Sequence, residues 1–326
     1  MKFAWNPQGP LAGAAVFLSA SVPDVRRHPR YLKGPVDDLL LMNRVIDLRA
    51  LDAVRCLVAQ VLRAGGRVLH GGHPTITQAI ACHLHNWDVG PQGEGGVDPL
   101  QKPVVLYQSE LFSELFQDLP APPGREAMAR AGFAALRWTP IRLEAASLKT
   151  ASLEAASLET ASFGGQPLLA WLGDHGLEGD WLAEMLPQQA PAPVRKEGMG
   201  EAEFEQAQAR CDSRREALLV MRLLMLLEAQ PRLCLCIGGM EGIEAEAQLY
   251  LQLVERGLLR AEPRVHVLAS TYGAAVQLTD ARAQLLEEPH PEPTNPETAV
   301  ADLLRRLSYD ETMRAFVADS TALLAR

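Results

Sequence analysis

The stretch that decides the fold is residues 234–246, which read CLCIGGMEGIEAE. A short apolar run, typical of a buried strand, leads into two consecutive glycines, and a helical pattern begins directly after them. Backbone N–H groups and the positive end of the helix then point at one place, where an anion can bind. Glycine lets a ligand approach the main chain closely. Glu246 follows inside the helix, in a position suited to a ribose hydroxyl or to acid–base chemistry.

Composition limits the class of protein. The chain has 326 residues, 48% of them hydrophobic, which is enough for a sizeable core in one large domain or two smaller ones. Its formal net charge of −9 argues against a general nucleic-acid binder, which needs a basic face. The five cysteines lie mostly in apolar runs and suit a reducing compartment. With no secretory pattern and no apolar run of membrane-spanning length, we expect a cytoplasmic protein without membrane or nucleic-acid partners.

Six short apolar runs have the pattern of buried strands, at residues 14–19, 67–69, 104–108, 135–139, 233–237 and 265–269. Helical patterns separate most of them, at residues 51–63, 74–84, 204–227 and 243–256. Apolar strands that alternate with helices predict an α/β fold: a Rossmann-like, mostly parallel sheet with helices on both faces. Ligands of such folds bind beyond the carboxyl ends of the strands, so the residues that follow each strand are candidate site residues.

Small and hydroxyl-bearing residues follow five of the six predicted strands. Each hydroxyl, taken alone, is also a common helix N-cap. Because five such junctions would meet at one edge of one sheet, we expect them to form a shared ligand-binding pocket. The predicted ligand-binding residues are Ser19, Ser21, Gly71, Gly72, His73, Thr75, Ser109, Gly238, Gly239, Glu241, Gly242, Ser270 and Thr271.

Arg222 lies in the apolar run LLVMRLLMLL, residues 218–227. A helix that is apolar on every face is buried on every face, and a buried arginine keeps its charge and needs an anionic partner. The partner is either a core carboxylate or the phosphate or carboxylate of a ligand. Glu241 and Glu244 complement the helix dipole, whereas Glu246 lies deeper and is suited to catalysis at a sugar C1. Arg222 and Glu246 are therefore the candidate catalytic residues.

The segment before this helix has a different composition. Residues 143–162 read LEAASLKTASLEAASLETAS, a ten-residue duplication built from five-residue units. Roughly four units make about one coil of a pentapeptide β-helix, too few to bury a core, so we interpret the repeat as a low-complexity surface loop. Residues 171–185 predict a short helical lid and residues 187–200 a linker. We predict one Rossmann-like domain from residues 1–142 and 201–285, an insertion at 143–200, and a tail at 286–326 with amphipathic helices near 298–307 and 310–324.

Histidine and cysteine do not point to a metal. Cys82, His83 and His85 lie close together in the sequence, on a predicted helix, but no second pair of ligands is nearby. A zinc site needs three or four convergent ligands. We therefore expect neither a metal nor another cofactor.

The motifs together resemble the SLOG superfamily, a Rossmann-like group that includes the Lonely Guy phosphoribohydrolases, the Smf/DprA proteins and sensor modules of bacterial defence systems. Lonely Guy enzymes carry an arginine-bearing helix, a strand, and then PGGxGTxxE. Here Arg222 precedes GGMEGIEAE (residues 238–246) by a comparable separation, with one extra loop residue. By this match Arg222 corresponds to the family's active-site arginine and Glu246 to its acidic residue. The wider likeness, to uncharacterised prokaryotic members, rests also on FLSAS, GGHPTI and LYQS at residues 17–21, 71–76 and 106–109.

The chain departs from the Lonely Guy pattern at three points. Ile237 replaces the proline before the glycines, the threonine is missing, and Leu223 replaces the basic residue after the family arginine. The resemblance implies that the chain binds a nucleotide-derived ligand, ADP-ribose-like or a nucleoside phosphate, as a sensor in bacterial signalling or defence. The first alternative is an N-glycosidic bond hydrolase that uses Arg222 and Glu246. The second is a degenerate fold that acts as a protein-interaction scaffold, and a homo-oligomer is compatible with all three.

Overall fold

The structure is a computed structural model that describes residues 3–22, 36–84, 87–88, 100, 102–109, 133–139, 158, 161–278, 282–287 and 308–325. A seven-stranded sheet forms its centre. In chain order the strands are β1 (Ala15–Ser21), β2 (Arg67–His70), β3 (Val104–Ser109), β4 (Phe133–Thr139), β5 (Leu233–Gly238), β6 (Val265–Leu268) and β7 (Ala283–Glu287).

The strands lie in the order β4-β3-β2-β1-β5-β6-β7, and every neighbouring pair is parallel. The chain builds outward from β1 to β4, returns to place β5 on the other side of β1, and builds outward again to β7. Ligands of open parallel sheets bind where the strand order reverses, which here is between β1 and β5. The predicted Rossmann-like α/β class is confirmed, and the six predicted strands are present.

The helices are α1 (Val36–Arg63), α2 (Pro74–Leu84), α3 (Leu168–Asp174), α4 (Asp180–Gln188), α5 (Glu201–Ala229), α6 (Glu241–Glu255), α7 (Ala274–Gln277) and α8 (Asp310–Leu324). Helices α2 and α8 have the predicted bounds, and α5 and α6 differ from them by one to three residues. A 3₁₀ turn occupies Ala269–Thr271. Two-residue strands pair Phe3–Ala4 with Trp87–Asp88, and Ser162–Phe163 with Gln166–Pro167. The helix predicted at 298–307 and almost all of the repeat at 143–162 lie outside the described residues.

Two hydrophobic cores cover the two faces of the sheet. Side chains alternate between faces along a strand, so Val16 and Leu18 of β1 pack in the core that contains α1 and α8. Phe17 packs in the opposite core, which contains α5 and α6. Ser19 has the same parity as Phe17 and therefore faces α6. This alternation decides which residues of β1 can reach the site.

The segment between β4 and α5 contributes to the second core. Leu168, Leu172, Trp181 and Met185 of α3 and α4 are buried in the same cluster as the apolar residues of α5 and α6. The indole Nε1 of Trp181 donates a hydrogen bond to Gln252 Oε1 of α6. The predicted helical lid is thus a pair of helices packed against the domain, and the division at residues 143–200 stays a prediction. In the described part of the chain, no helix is both long and apolar enough to cross a bilayer.

Candidate functional site

A cavity of about 310 Å³ opens at the carboxyl ends of β1 and β2 and at the start of α6. Its volume lies at the lower end of the range of small-molecule sites. Its walls come from five segments of the chain: the end of β1, the β2–α2 junction, the residues after α4, and facing parts of α5 and of α6. The predicted site residues in these walls are Ser21, Gly71, Gly72, His73, Thr75, Arg222, Glu241, Gly242 and Glu246.

A buried ion pair joins α5 to α6 at the cavity wall. Arg222 Nε donates to Glu246 Oε1 at 3.0 Å, and the two side chains are 6% and 12% exposed. Ser19 Oγ of β1 donates to the other carboxylate oxygen, Oε2, at 2.5 Å. The core carboxylate that the sequence offered as one partner of Arg222 is therefore Glu246 itself. Both oxygens of Glu246 are held, so its position is fixed from two directions.

One nitrogen of the Arg222 guanidinium, Nη2, has neither of its N–H groups engaged within the described residues. Nε is bonded to Glu246 and Nη1 to Gln189 Oε1 at 2.7 Å, while Nη2 has no hydrogen-bond partner among the described residues. A Cβ built at Gly242 would lie 3.1 Å from this nitrogen. Glycine at position 242 thus leaves the space in front of Nη2 open, beside the first turn of α6.

The N-terminus of α6 has no side-chain cap. Its N-cap residue is Met240, which makes no side-chain hydrogen bond to the helix, and Glu241 and Gly242 of its first turn lie in the cavity wall. The first N–H groups of a helix lack intrahelical partners and attract anions. This end of the cavity therefore combines a guanidinium donor with a helix N-terminus.

Two histidines form another part of the wall. His70 is 2% exposed, its Nδ1 lies 3.1 Å from Leu18 O, and its Nε2 accepts the backbone N–H of His73 at 3.1 Å. Because Nε2 accepts, the proton is on Nδ1, and burial lowers the pKa of His70 below its ordinary value. Burial lowers the pKa of His73 to about 4. Both imidazoles are neutral at pH 7, and both ring nitrogens of His70 are already bonded within the protein.

The glycine turn after β5 makes hydrogen bonds within the protein and is not part of the described cavity wall. Gly238 and Gly239 have φ of +62° and +88°, which favours glycine. Thr271 Oγ1 accepts the N–H of Gly238 at 2.8 Å, and Gly239 O accepts the N–H of Ala274 at 2.9 Å. The N–H of Gly238, expected from the sequence to face an anion, is therefore already used within the protein.

Ser270 and Thr271 are also engaged within the protein. Both are fully buried, and Ser270 Oγ donates to Glu287 Oε2 of β7 at 2.7 Å, while Thr271 Oγ1 donates to Leu268 O at 2.6 Å. The described residues in the cavity wall include neither of them, nor Gly238 or Gly239. Ser19 contributes through Glu246. The backbone of Ser109 ends β3, and its side chain lies outside the described part of the structure.

Sequence reasoning missed Gln189. It follows α4, is 2% exposed, and accepts a hydrogen bond from Arg222. It lies in a stretch rich in Pro, Gln and Ala that was interpreted as a linker, where a single glutamine carries no signal. Among the described residues, no group of three His, Cys, Asp or Glu side chains is arranged to hold a metal ion.

One family model matches the segment of the chain that holds the buried Arg222–Glu246 pair. Residues 199–294 match the model described as the SLOG cluster3 family. The matched segment contains α5, β5, α6, β6 and β7, and with them Arg222, the glycine turn and Glu246. No curated protein and no solved structure matches the chain.

Proposed function

We propose that this chain, which belongs to the SLOG superfamily, binds a nucleotide-derived ligand in the cavity at the carboxyl ends of β1 and β2. Membership of the superfamily suggests a nucleotide-related function. The ligand class is a nucleoside phosphate or an ADP-ribose-like molecule. The single observation that carries the proposal is the buried Arg222–Glu246 pair, with one guanidinium nitrogen, Nη2, left without a partner among the described residues of the cavity wall.

The arrangement supports a particular orientation of the ligand. A phosphate would meet Arg222 Nη2 and the uncapped N-terminus of α6, because both favour negative charge. The sugar would lie near Glu246, whose carboxylate is within reach of hydroxyl donors. The neutral imidazole of His73 and the hydroxyl of Thr75, both in the wall, offer hydrogen bonds to the uncharged part of the ligand.

Isothermal titration calorimetry of the wild-type protein against AMP, ADP-ribose, cyclic ADP-ribose and NAD tests the proposal. We expect at least one to bind, and Arg222→Lys to weaken binding about tenfold or more, because lysine keeps the charge but lacks the planar fork. Arg210→Lys is the matched control, since Arg210 is an exposed residue of the same helix. Folded wild-type protein that binds none of the four compounds would contradict the proposal.

The geometry of Glu246 favours a second candidate, hydrolysis of an N-glycosidic bond. A carboxylate fixed by Arg222 and Ser19 can stabilise positive charge at the sugar C1 or accept a proton from water. Water would form the new C1–O bond, the C1–N bond would break, and the proton released by water would be transferred to the departing base.

Chromatography of base release distinguishes the two candidates. If Glu246→Gln binds AMP or NAD as tightly as the wild type but no longer releases base, the protein is a hydrolase. Glu244→Gln, at a partly exposed residue of the same helix outside the described cavity wall, is the control and should keep both properties. Wild-type protein that binds but releases no base from nucleoside monophosphates or NAD is a binding module, consistent with a sensor.

We also propose a cytoplasmic location. Cys56, Cys211, Cys234 and Cys236 are free thiols, and unpaired cysteines suit a reducing compartment. The ligand would then be a cytoplasmic nucleotide or a product made from one. Fractionation of the expressing cell, with detection of the protein outside the cytoplasmic fraction, would contradict this location.

A further inference from the structure

Gln189 is a buried amide with both ends bonded. Its Nε2 donates to Met185 O at 3.0 Å, and its Oε1 accepts the N–H of Arg222 Nη1 at 2.7 Å. A guanidinium has donors only, so a flipped amide would place its NH₂ group against another donor. The two bonds therefore fix the orientation of Gln189, with the acceptor toward Arg222.

The segment that carries Gln189 is attached to the same helix as Arg222. Arg215 Nε of α5 donates to Ala190 O at 2.8 Å, and Cys211 Sγ of α5 donates to Pro191 O at 3.2 Å. Gln189, Ala190 and Pro191 all line the cavity. Helix α5 thus supplies the arginine and also anchors the segment that holds the arginine in place.

Two acceptors on one guanidinium determine where its third nitrogen points. The guanidinium is planar, so bonds from Nε to Glu246 and from Nη1 to Gln189 set the plane and leave Nη2 toward Gly242. With Glu246 alone as a partner, the guanidinium could still rotate about its Nε–Cζ bond, which exchanges Nη1 and Nη2. Gln189 removes this freedom.

The neutral charge of Gln189 is as important as its position. Arg222 and Glu246 carry opposite charges, so the pair adds no net charge to the cavity wall. A carboxylate at position 189 would make the same hydrogen bond but would leave the group with a net negative charge, which repels an anionic ligand. An amide holds the guanidinium without this penalty.

We infer that Gln189 is a positioning residue that directs Arg222 Nη2 into the cavity and thereby gives the site its preference for phosphorylated over unphosphorylated nucleosides. The ligand part of this inference rests on the proposed function. The positioning part does not, and it can be measured without any ligand.

The ligand-free test is ¹⁵N NMR of the arginine side chains. In the wild type we expect slow rotation of the Arg222 guanidinium, seen as separate Nη1 and Nη2 signals. We expect Gln189→Met to merge these signals, while Gln188→Met, a change at the neighbouring partly exposed residue, leaves them separate. Slow rotation that persists in Gln189→Met would overturn the positioning role, whether or not the wild type binds a nucleotide.

The ligand test compares AMP with adenosine by calorimetry. We expect Gln189→Glu to weaken AMP binding about tenfold or more, because the added negative charge repels the phosphate, and to change adenosine binding less than about twofold. Gln188→Glu adds the same charge one residue away and should change neither affinity. Unchanged AMP affinity, or an equal loss for adenosine, would overturn the inferred charge preference. A wild type that binds neither compound contradicts the proposed function for this ligand pair, and the NMR result then decides the role of Gln189.

Discussion

Ser19 and Glu246 are 227 positions apart in the chain, and a hydrogen bond of 2.5 Å joins the serine hydroxyl to the carboxylate. The bond links β1 to α6 across the point where the strand order reverses. It gives the acidic residue of the candidate site a partner from the other half of the sheet. The predictions below start from this contact.

Replacing Ser19 with alanine should lower the free energy of unfolding by about 2 kcal/mol, because a hydrogen bond to a charged, largely buried group is lost. Urea denaturation measures the change. Ser21→Ala is the matched control: Ser21 lies two residues further along β1 and makes no hydrogen bond with the described residues, so its loss should cost less than about 0.5 kcal/mol. Equal effects of the two substitutions would show that the Ser19–Glu246 bond contributes nothing.

Arg222→Met should destabilise the protein by about 3–5 kcal/mol, because it leaves the Glu246 carboxylate buried without its cation. The double variant Arg222→Met/Glu246→Met should regain most of this loss, since an apolar pair of similar volume carries no unpaired charge. Chemical denaturation of both variants tests the prediction. A double variant as unstable as the single one would mean that packing, not charge, explains the loss.

Gly239, in the turn before α6, and Gly242, inside the first turn of α6, should respond differently to replacement by alanine. Gly242→Ala lies in the first turn of α6 and should leave stability unchanged or raise it by up to about 1 kcal/mol, while weakening ligand binding, because the new Cβ would lie 3.1 Å from Arg222 Nη2. Gly239→Ala should cost about 1–3 kcal/mol from backbone strain alone, since φ is +88° and the Cβ would also overlap Ile243. Thermal unfolding and calorimetry separate the two effects. A destabilised Gly242→Ala would refute this assignment of the two positions.

Thr271→Val should lower stability by about 1–3 kcal/mol, because the buried N–H of Gly238 loses its acceptor. Thr77→Val makes the same chemical change at another fully buried threonine. Thr77 Oγ1 has no partner within the described structure, so this substitution should be neutral or stabilising. The comparison, made by urea denaturation, tests whether Thr271 acts in the fold; loss of ligand binding in a fully stable Thr271→Val would instead assign it to the site.

Acid should destabilise the protein before its carboxylates titrate. Burial lowers the pKa of His73 and His266 from 6.5 to about 4, and it lowers that of His70 as well. The folded state therefore binds fewer protons than the unfolded state, and the stability that these groups contribute is complete above pH 6.5 and is lost as the pH falls toward 4.

His266, which is 6% exposed, should account for about 2 kcal/mol of the loss between pH 7.5 and pH 5. His266→Leu should remove this share and keep the stability at pH 7.5, because Nδ1 of His266 has no partner in the described residues. Denaturation curves at the two pH values measure it. A variant with the wild-type pH dependence would show that His266 does not titrate between the two states.

The central strands could be predicted from the sequence because they are buried on both faces and therefore apolar throughout, as in LCLCIG of β5. The edge strand β7, Ala283–Glu287, was missed. It is half exposed, has no β-branched or aromatic residue, and pairs on one side with β6, so its sequence has no clear strand pattern. Helix α1 begins at Val36 rather than at residue 51.

The side chains of the candidate site could also be predicted only in part from the sequence. Arg222 and Glu246 could be singled out because a charge inside an apolar helix and a carboxylate after a glycine turn are local patterns. No local pattern shows which face of β1 meets α6. The sequence therefore could not predict that Arg222 and Glu246 bond each other, or that Ser19 joins them. Gln189 was missed for this reason, and the turn at Ser270 and Thr271 was expected in the pocket because hydroxyls after a strand look alike whether they meet a ligand or the backbone.

The ladder between β1 and β5, from Val16 opposite Leu233 to Ser21 opposite Gly238, is where the first-made and last-made halves of the sheet meet. A nascent chain that has formed β1 to β4 has neither Arg222 nor Glu246, and a chain that has not returned to β1 cannot assemble the cavity. A small molecule bound in the cavity would contact both halves of the sheet at once and would stabilise the pairing of β1 with β5. The fraction of molecules in which this pairing is open would then fall as the ligand concentration in the cell rises. If the proposed ligand binds in this cavity, its binding and the pairing of β1 with β5 would be parts of one equilibrium.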